Sequence, residues 1–201
     1  MQKPSVKVFE MVSTAQFREE IKVADPSIGK NGYRSIGKDG YKMDGEGPRG
    51  MRREAGLKGC HCCDYFIANK NSVVLIEETR LSETVSKYKQ EYRYLRPGHL
   101  DKLTNDRIRE ENTLKAYGAL LVLCRLAARY DEFQKIIRAD KYHFWLVASD
   151  AQPANMISFE ELENRLFEAL RSAFGKQRFC EITIVPGDML ENKISDYAPT
   201  Y

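Results

Sequence analysis

The stretch Cys60–Arg80, CHCCDYFIANKNSVVLIEETR, constrains the fold more than any other part of the chain. Its first run, Cys60 to Ala68, is rich in cysteine, aromatic and branched residues. Asn69, Lys70, Asn71 and Ser72 are turn formers, and Val73 to Ile76 is a continuous apolar run that ends in Glu77 and Glu78. Two β-prone runs joined by a short polar turn predict a hairpin. Side chains alternate along a strand, so Cys60, Cys62, Asp64 and Phe66 are expected on one face of the first strand, and Val73, Leu75, Glu77 and Thr79 on one face of the second. The hairpin can then set Asp64 beside Glu77. Two carboxylates at the end of a buried sheet repel each other, and a divalent cation with oxygen ligands is the natural compensation.

The chain has 201 residues, 42% of them hydrophobic and 30% charged, which is enough for one domain with a sizeable core. A net charge of +3 neither demands nor excludes nucleic acid. The five cysteines (60, 62, 63, 124 and 180) are odd in number, with three crowded together. Neighbouring cysteines pair poorly with one another, and no secretory signal is evident, so a reducing cytoplasm is the expected compartment. The longest apolar run, Ala116 to Cys124, is too short to span a bilayer, so no membrane is expected. No Walker loop, GxSxG or Rossmann fingerprint is present.

Val6 to Phe9 predicts a short strand, and Ser13 to Val23 a helix capped by Ser13 or Thr14. Pro26 to Gly59 holds nine of the thirteen glycines and a short repeat, GKNGYR at 29–34 and GKDGYK at 37–42. The Asn-Gly and Asp-Gly pairs favour tight turns, so this segment reads as a glycine-rich basic loop or small hairpin inserted in the domain. It carries eight Lys/Arg against four Asp/Glu. Lys38, Lys42, Arg52 and Arg53, interleaved with Tyr33 and Tyr41, suit phosphate contacts and base stacking, as they also suit a solvated loop.

A helix is expected over Leu81–Leu95, capped by Ser82 and stopped at Arg96-Pro97-Gly98. A second runs from about Asp106 to Phe133 with Leu114, Tyr117, Leu121, Cys124 and Ala128 as one apolar, core-facing stripe, and the added Leu120, Val122 and Leu123 suggest burial on more than one side. Tyr142 to Ala148 predicts a central strand. Phe159 to Phe174 predicts a helix capped by Ser158 with Leu162, Leu166, Phe167 and Leu170 inward. Phe179 to Val185 predicts a last strand closed by Pro186-Gly187, and the tail from Asn192 reads as loosely held. The whole reads as one α/β domain, a mixed central sheet flanked by helices.

Asp64 followed thirteen residues on by Glu77 at the end of an apolar strand resembles the metal site of the PD-(D/E)xK, restriction-endonuclease-like nucleases, over roughly Gly59 to Asp150. The resemblance implies a restriction-endonuclease-like fold spanning residues 1–201 as a single domain. It also implies hydrolysis of phosphodiester bonds, with DNA as the expected substrate and restriction or defence as the expected setting. Asp64 and Glu77 would hold Mg²⁺ or Mn²⁺, which activates water and neutralises phosphate charge. A homodimer or a partner protein would fit the same families.

The sequence departs from that pattern. Two residues after Glu77 stands Thr79 where the family has lysine, and Cys63 replaces the proline before the aspartate. Three explanations are open. The lysine can have moved to the next helix as Lys87 or Lys89. The pair can be shifted to Glu78 and Arg80. Or the site can be an inactive copy kept for nucleic-acid binding or assembly. Gln90 and Tyr94 also resemble the Gln-x-x-x-Tyr of RecB-type nucleases. Cys60-His61-Cys62-Cys63 invites a zinc reading, but a strand splits these residues between two faces. A tetrahedral site would then need His99, His143 or Cys180, and buried packing is the expected role.

Overall fold

The computed structural model describes residues 14–28, 32–45, 50–69, 71–151, 159–174 and 179–197. Among them, six strands form one sheet: β1 (Arg18–Ala24), β2 (Tyr33–Lys42), β3 (Tyr65–Ala68), β4 (Ser72–Thr79), β5 (Lys141–Ala148) and β6 (Phe179–Pro186). They lie in sequence order. Short connections can join only antiparallel neighbours, and β1 to β4 are antiparallel. Parallel neighbours need a crossover, and helices fill both. Between β4 and β5 run α2 (Leu81–Glu91), α3 (Pro97–Ala127) and α4 (Asp131–Ile137), and between β5 and β6 runs α5 (Glu160–Phe174). A short α1 (Met51–Glu54) precedes β3, and α6 (Leu190–Tyr197) follows β6. No helix among the described residues is long and apolar enough to cross a membrane.

Both faces of the sheet are covered, which is why β4 and β5 read as unbroken apolar runs. Val73, Leu75, Phe66, Phe144 and Leu146 pack with α3, α4 and α5, while Val74, Ile76, Trp145 and Val147 pack with Leu190 and Ile194 of α6. The mixed sheet flanked by helices is as the sequence predicts, and β5, α5 and β6 fall where their patterns place them.

Several elements differ from expectation. The residues read as an N-terminal helix form a 3-10 turn, Thr14–Phe17, and then β1. Ile21 and Val23 are buried on either side of exposed Lys22, a period of two that β2 rewards by pairing. The glycine-rich segment is mostly not loop, for ten of its residues make β2. Between the pairs Glu20↔Asp39 and Lys22↔Ser35 the register shifts, so β2 bulges around Gly37, whose φ of +65° suits glycine. Gly40 leaves room for Ile21, whose Cδ1 would lie 2.9 Å from an added Cβ. Lys30 and Arg49 of this segment, the expected strand Val6–Phe9 and the expected cap Ser158 lie outside the described residues.

The hairpin strand starts at Tyr65, not Cys60, because Cys60–Asp64 runs as irregular chain beneath α3. Helix α2 ends at Glu91, short of the expected Leu95, and Pro97 opens α3 from its first turn, where its missing N–H costs nothing. The cap of α2 is Asp150, whose carboxylate accepts the N–H groups of Ser82 at 3.0 Å and Glu83 at 2.8 Å. The stripe expected to face the core faces out. Ala116, Ala119, Val122, Leu123 and Leu126 point inward instead, since small residues let α3 lie close to the sheet. The tail forms α6 as far as Tyr197, whose hydroxyl lies 2.6 Å from Ser72 Oγ.

Candidate active site

Tyr65 pairs with Ile76, so one step back along the ladder Asp64 stands opposite Glu77, as the hairpin argument requires. Two backbone bonds hold it there. Asp64 Oδ2 accepts the Glu78 N–H at 2.8 Å, and the Met43 N–H donates to the Asp64 carbonyl at 2.9 Å. Alternation along β4 sends Glu77 to the α3 side of the sheet with Leu75, while Asp64, just before β3, turns its carboxylate to the Glu78 N–H and Lys42. Glu77 is only 2% exposed. Its Oε1 accepts from Lys115 Nζ of α3, and its Oε2 is buried with no hydrogen-bond partner among the described residues.

A second lysine serves Asp64. Lys42, the last residue of β2, places Nζ 2.7 Å from Asp44 Oδ1, 3.8 Å from Asp64 Oδ1 and 4.1 Å from the centre of the Tyr65 ring. Burial pushes the Asp64 carboxyl up to about 6, and the Asp44 charge adds to this, against Lys42 and the Glu78 N–H, which pull it down. Burial, then the Asp64 charge, hold Glu77 well above the usual carboxylate range despite Lys115. Burial alone would lower both lysines, but the carboxylates beside them more than offset it, so both stay above the ordinary lysine value.

Lys115 reaches Glu77 because α3 sits very close to the 60–63 segment. A Cβ on Gly118 would fall 1.6 Å from the His61 carbonyl oxygen and 2.9 Å from Cys60 Sγ. The clash is with backbone, which cannot rotate away. Gly118→Ala should therefore cost about 1–3 kcal/mol or more, read from urea unfolding midpoints, through displacement of α3. An unchanged midpoint would show that the helix is free to shift.

Comparison with family models, curated proteins and solved structures found no match for this chain. The site therefore rests on its own geometry.

Other expected residues fall elsewhere. Glu78 points to the opposite face of the sheet, its carboxyl raised chiefly by burial, and Arg80 pairs with Glu83 at 3.6 Å. Lys87 and Lys89 are exposed on α2. Lys89 binds Asp101 at 2.7 Å, and Lys87 lies 6.0 Å from the centre of the Tyr88 ring. Gln90 is exposed, and Tyr94, beyond the end of α2, is 77% exposed. Of the basic and aromatic set, Lys42 is committed to the carboxylates. Arg52 donates to the carbonyls of Cys60 and Asp44 at 3.0 Å each, and Tyr41 stacks on Phe66 at 4.6 Å. Lys38, Arg53 and Tyr33 remain on the surface.

The cysteine cluster packs rather than converges. Cys62 and Cys63 are both buried, and burial pushes the Cys62 thiol up to about 12 and Cys63 well above its ordinary value. Among the described residues no three His, Cys, Asp or Glu side chains are arranged to hold a metal. His143, one of the possible zinc partners, is bonded to Glu181 at 2.9 Å.

Two carboxylates without a third still fit a hard cation. Mg²⁺ is usually held by one or two carboxylates and completes its shell with water and phosphate oxygens. Glu77 Oε2, buried and without a hydrogen-bond partner among the described residues, is a free donor for such an ion, as is Glu78 Oε1 on the neighbouring residue. Lys115 is the residue that sequence reasoning missed. Its signal is a lysine next to the small inward residues Ala116 and Ala119, readable only once the inward face of α3 is assigned to them.

Proposed function

We propose that the chain is a metal-dependent nuclease of the PD-(D/E)xK type that cleaves DNA, with Asp64 and Glu77 as ligands of Mg²⁺ or Mn²⁺ and Lys115 in place of the motif lysine. The observation that carries this reading is the buried Glu77, one oxygen on Lys115 and the other unpartnered, opposite Asp64. A bound divalent ion would supply an acidified water and charge neutralisation at the phosphate. Lys115, an ammonium without acceptor capacity, donates a hydrogen bond that orients the attacking water. Lys42 offsets part of the burial that raises the Asp64 carboxyl and would add positive charge near the scissile phosphate.

The test reads binding and cleavage separately. Mg²⁺ or Mn²⁺ at about a hundredfold its Kd should add about 2.7 kcal/mol of stability, reversed by chelator. For a chain of this size that corresponds to a melting point higher by roughly 5–10 °C. Supercoiled plasmid should be nicked under the same conditions. Neither a thermal shift nor nicking with either ion would sink the proposal.

A second reading has its own support. Lys42 and Lys115 already compensate both carboxylates, as suits an inactive nuclease-fold subunit that binds nucleic acid or a partner without cleaving. That reading expects nucleic-acid binding that is indifferent to chelator. Under either reading, alanine at Lys38, Arg53 and Tyr33 together should weaken binding to all sequences alike, measured by filter binding against salt. Unchanged affinity in the triple variant would remove this surface from the account.

A further inference from the structure

The charge of Asp44 bears on both Asp64 and Glu77, so three carboxylates share the candidate site. Among the described residues no three such side chains converge on one point. They form two pairs that have Asp64 in common, one with Glu77 and one with Asp44. A lysine already sits in the second pair. Lys42 Nζ lies 2.7 Å from Asp44 Oδ1, 3.8 Å from Asp64 Oδ1 and 4.1 Å from the centre of the Tyr65 ring. Two carboxylates and an aromatic face together make a position for one cation.

Backbone bonds fix that position whatever fills it. The Met43 N–H donates to the Asp64 carbonyl at 2.9 Å, the Arg52 N–H to the Met43 carbonyl at 3.1 Å, and Arg52 Nη2 to the Asp44 carbonyl at 3.0 Å. The Glu78 N–H holds the Asp64 carboxylate itself. The side chains of Lys42, Asp44 and Asp64 are 22%, 34% and 20% exposed, so an ion from solution can reach them. We propose that Asp44 and Asp64 form a second divalent-cation site, which the Lys42 ammonium fills in place of an ion. Sites that act on phosphates with two divalent ions set one at the attacking oxygen and one at the leaving oxygen. Here one of the two charges is built into the chain and is present at any metal concentration. The use of that charge rests on the nuclease reading; the cation site itself does not.

Removing the ammonium tells this arrangement from an ordinary ion pair. Mn²⁺ bound to the full chain, counted by electron paramagnetic resonance, should rise by one ion per chain in Lys42→Met. Asp44→Asn should leave the wild-type count unchanged, yet cancel the gain in the Lys42→Met background. Lys42→Gln repeats the measurement in case Lys42→Met folds poorly, with circular dichroism as the check on both. No gain in the folded variants overturns the proposal, since the two carboxylates then share a proton instead of taking an ion. So does a gained ion that survives Asp44→Asn, or a wild type that loses an ion on Asp44→Asn. A wild type that binds no Mn²⁺, beside a Lys42→Met variant that binds one through Asp44, would end the metal reading of Glu77 and keep this one.

Discussion

Asp64→Asn and Glu77→Gln should each lower cleavage by about a thousandfold or more, yet move the stability of the metal-free protein in different directions at pH 7. The loss of cleavage follows from losing one of two metal ligands, since the ion is worth several kcal/mol of charge stabilisation and each 1.36 kcal/mol is tenfold in rate. The stability effects follow from what each carboxylate faces. Asp64 is raised to about 6 from an ordinary 3.8, so between these values the folded state binds more protons than the unfolded one. Stability therefore falls as pH rises through that window, and above it Asp64 costs the fold up to about 3 kcal/mol. Asparagine removes that cost, its amide oxygen can still accept the Glu78 N–H, and Lys42 keeps Asp44 at 2.7 Å. Asp64→Asn should thus stabilise the protein at pH 7 and show no advantage near pH 4.

Glu77, also raised by burial and by Asp64, costs the fold in the same sense, but Glu77→Gln strands the partly buried Lys115 as well, and that loss outweighs the relief. Breaking one side of a buried pair commonly costs about 3–5 kcal/mol, less here because the Lys115 side chain is 34% exposed. Urea unfolding at both pH values, run beside plasmid nicking, checks all of this. Full cleavage by either variant would remove Asp64 and Glu77 from the mechanism.

Lys115→Met should lower cleavage by about a hundred- to a thousandfold, the usual cost of removing one preorganised donor, while Lys87→Ala and Lys89→Ala stay near wild type. Methionine keeps the volume beside Gly118, and the stranded Glu77 can protonate, so the fold should survive. Thr79 lies on the same strand face as Glu77, two residues on. Thr79→Lys in the Lys115→Met background should therefore return part of the lost rate by restoring the motif spacing. Undiminished cleavage by Lys115→Met, or a large loss at Lys87 or Lys89, would move the lysine's role off α3. No rescue together with no wild-type cleavage would favour the inactive-subunit reading.

The hairpin was legible because two local signals agreed: turn chemistry at 69–72 and an apolar run closed by acids. The pairing of Asp64 with Glu77 followed from register alone. Lys115 was not legible, because its role depends on which side of α3 meets the sheet. The large residues Leu114, Tyr117 and Leu121 suggested one side, and close packing chose the other, lined by alanines and Gly118. Glycine-rich sequence reads as loop, and a loop offers Lys42 to phosphate or to solvent. Pairing of β2 with β1 and β3 made it a strand, and so turned its last residue onto the carboxylates. Tertiary partners overrode local preference in each case.

The strict sequence order of the strands bears on how the site comes together during synthesis. Each strand after β1 finds its partner in the strand made just before it. The antiparallel half, β1 to β4, closes through near neighbours, whereas β5 must wait for α2, α3 and α4, and contacts distant in sequence form slowly. Asp64, Glu77 and Lys42 belong to the early half, and Lys115 arrives with the late one. The two carboxylates thus meet through a hairpin of near neighbours, whereas the ammonium that faces Glu77 is brought to them by the longest stretch of chain between adjacent strands.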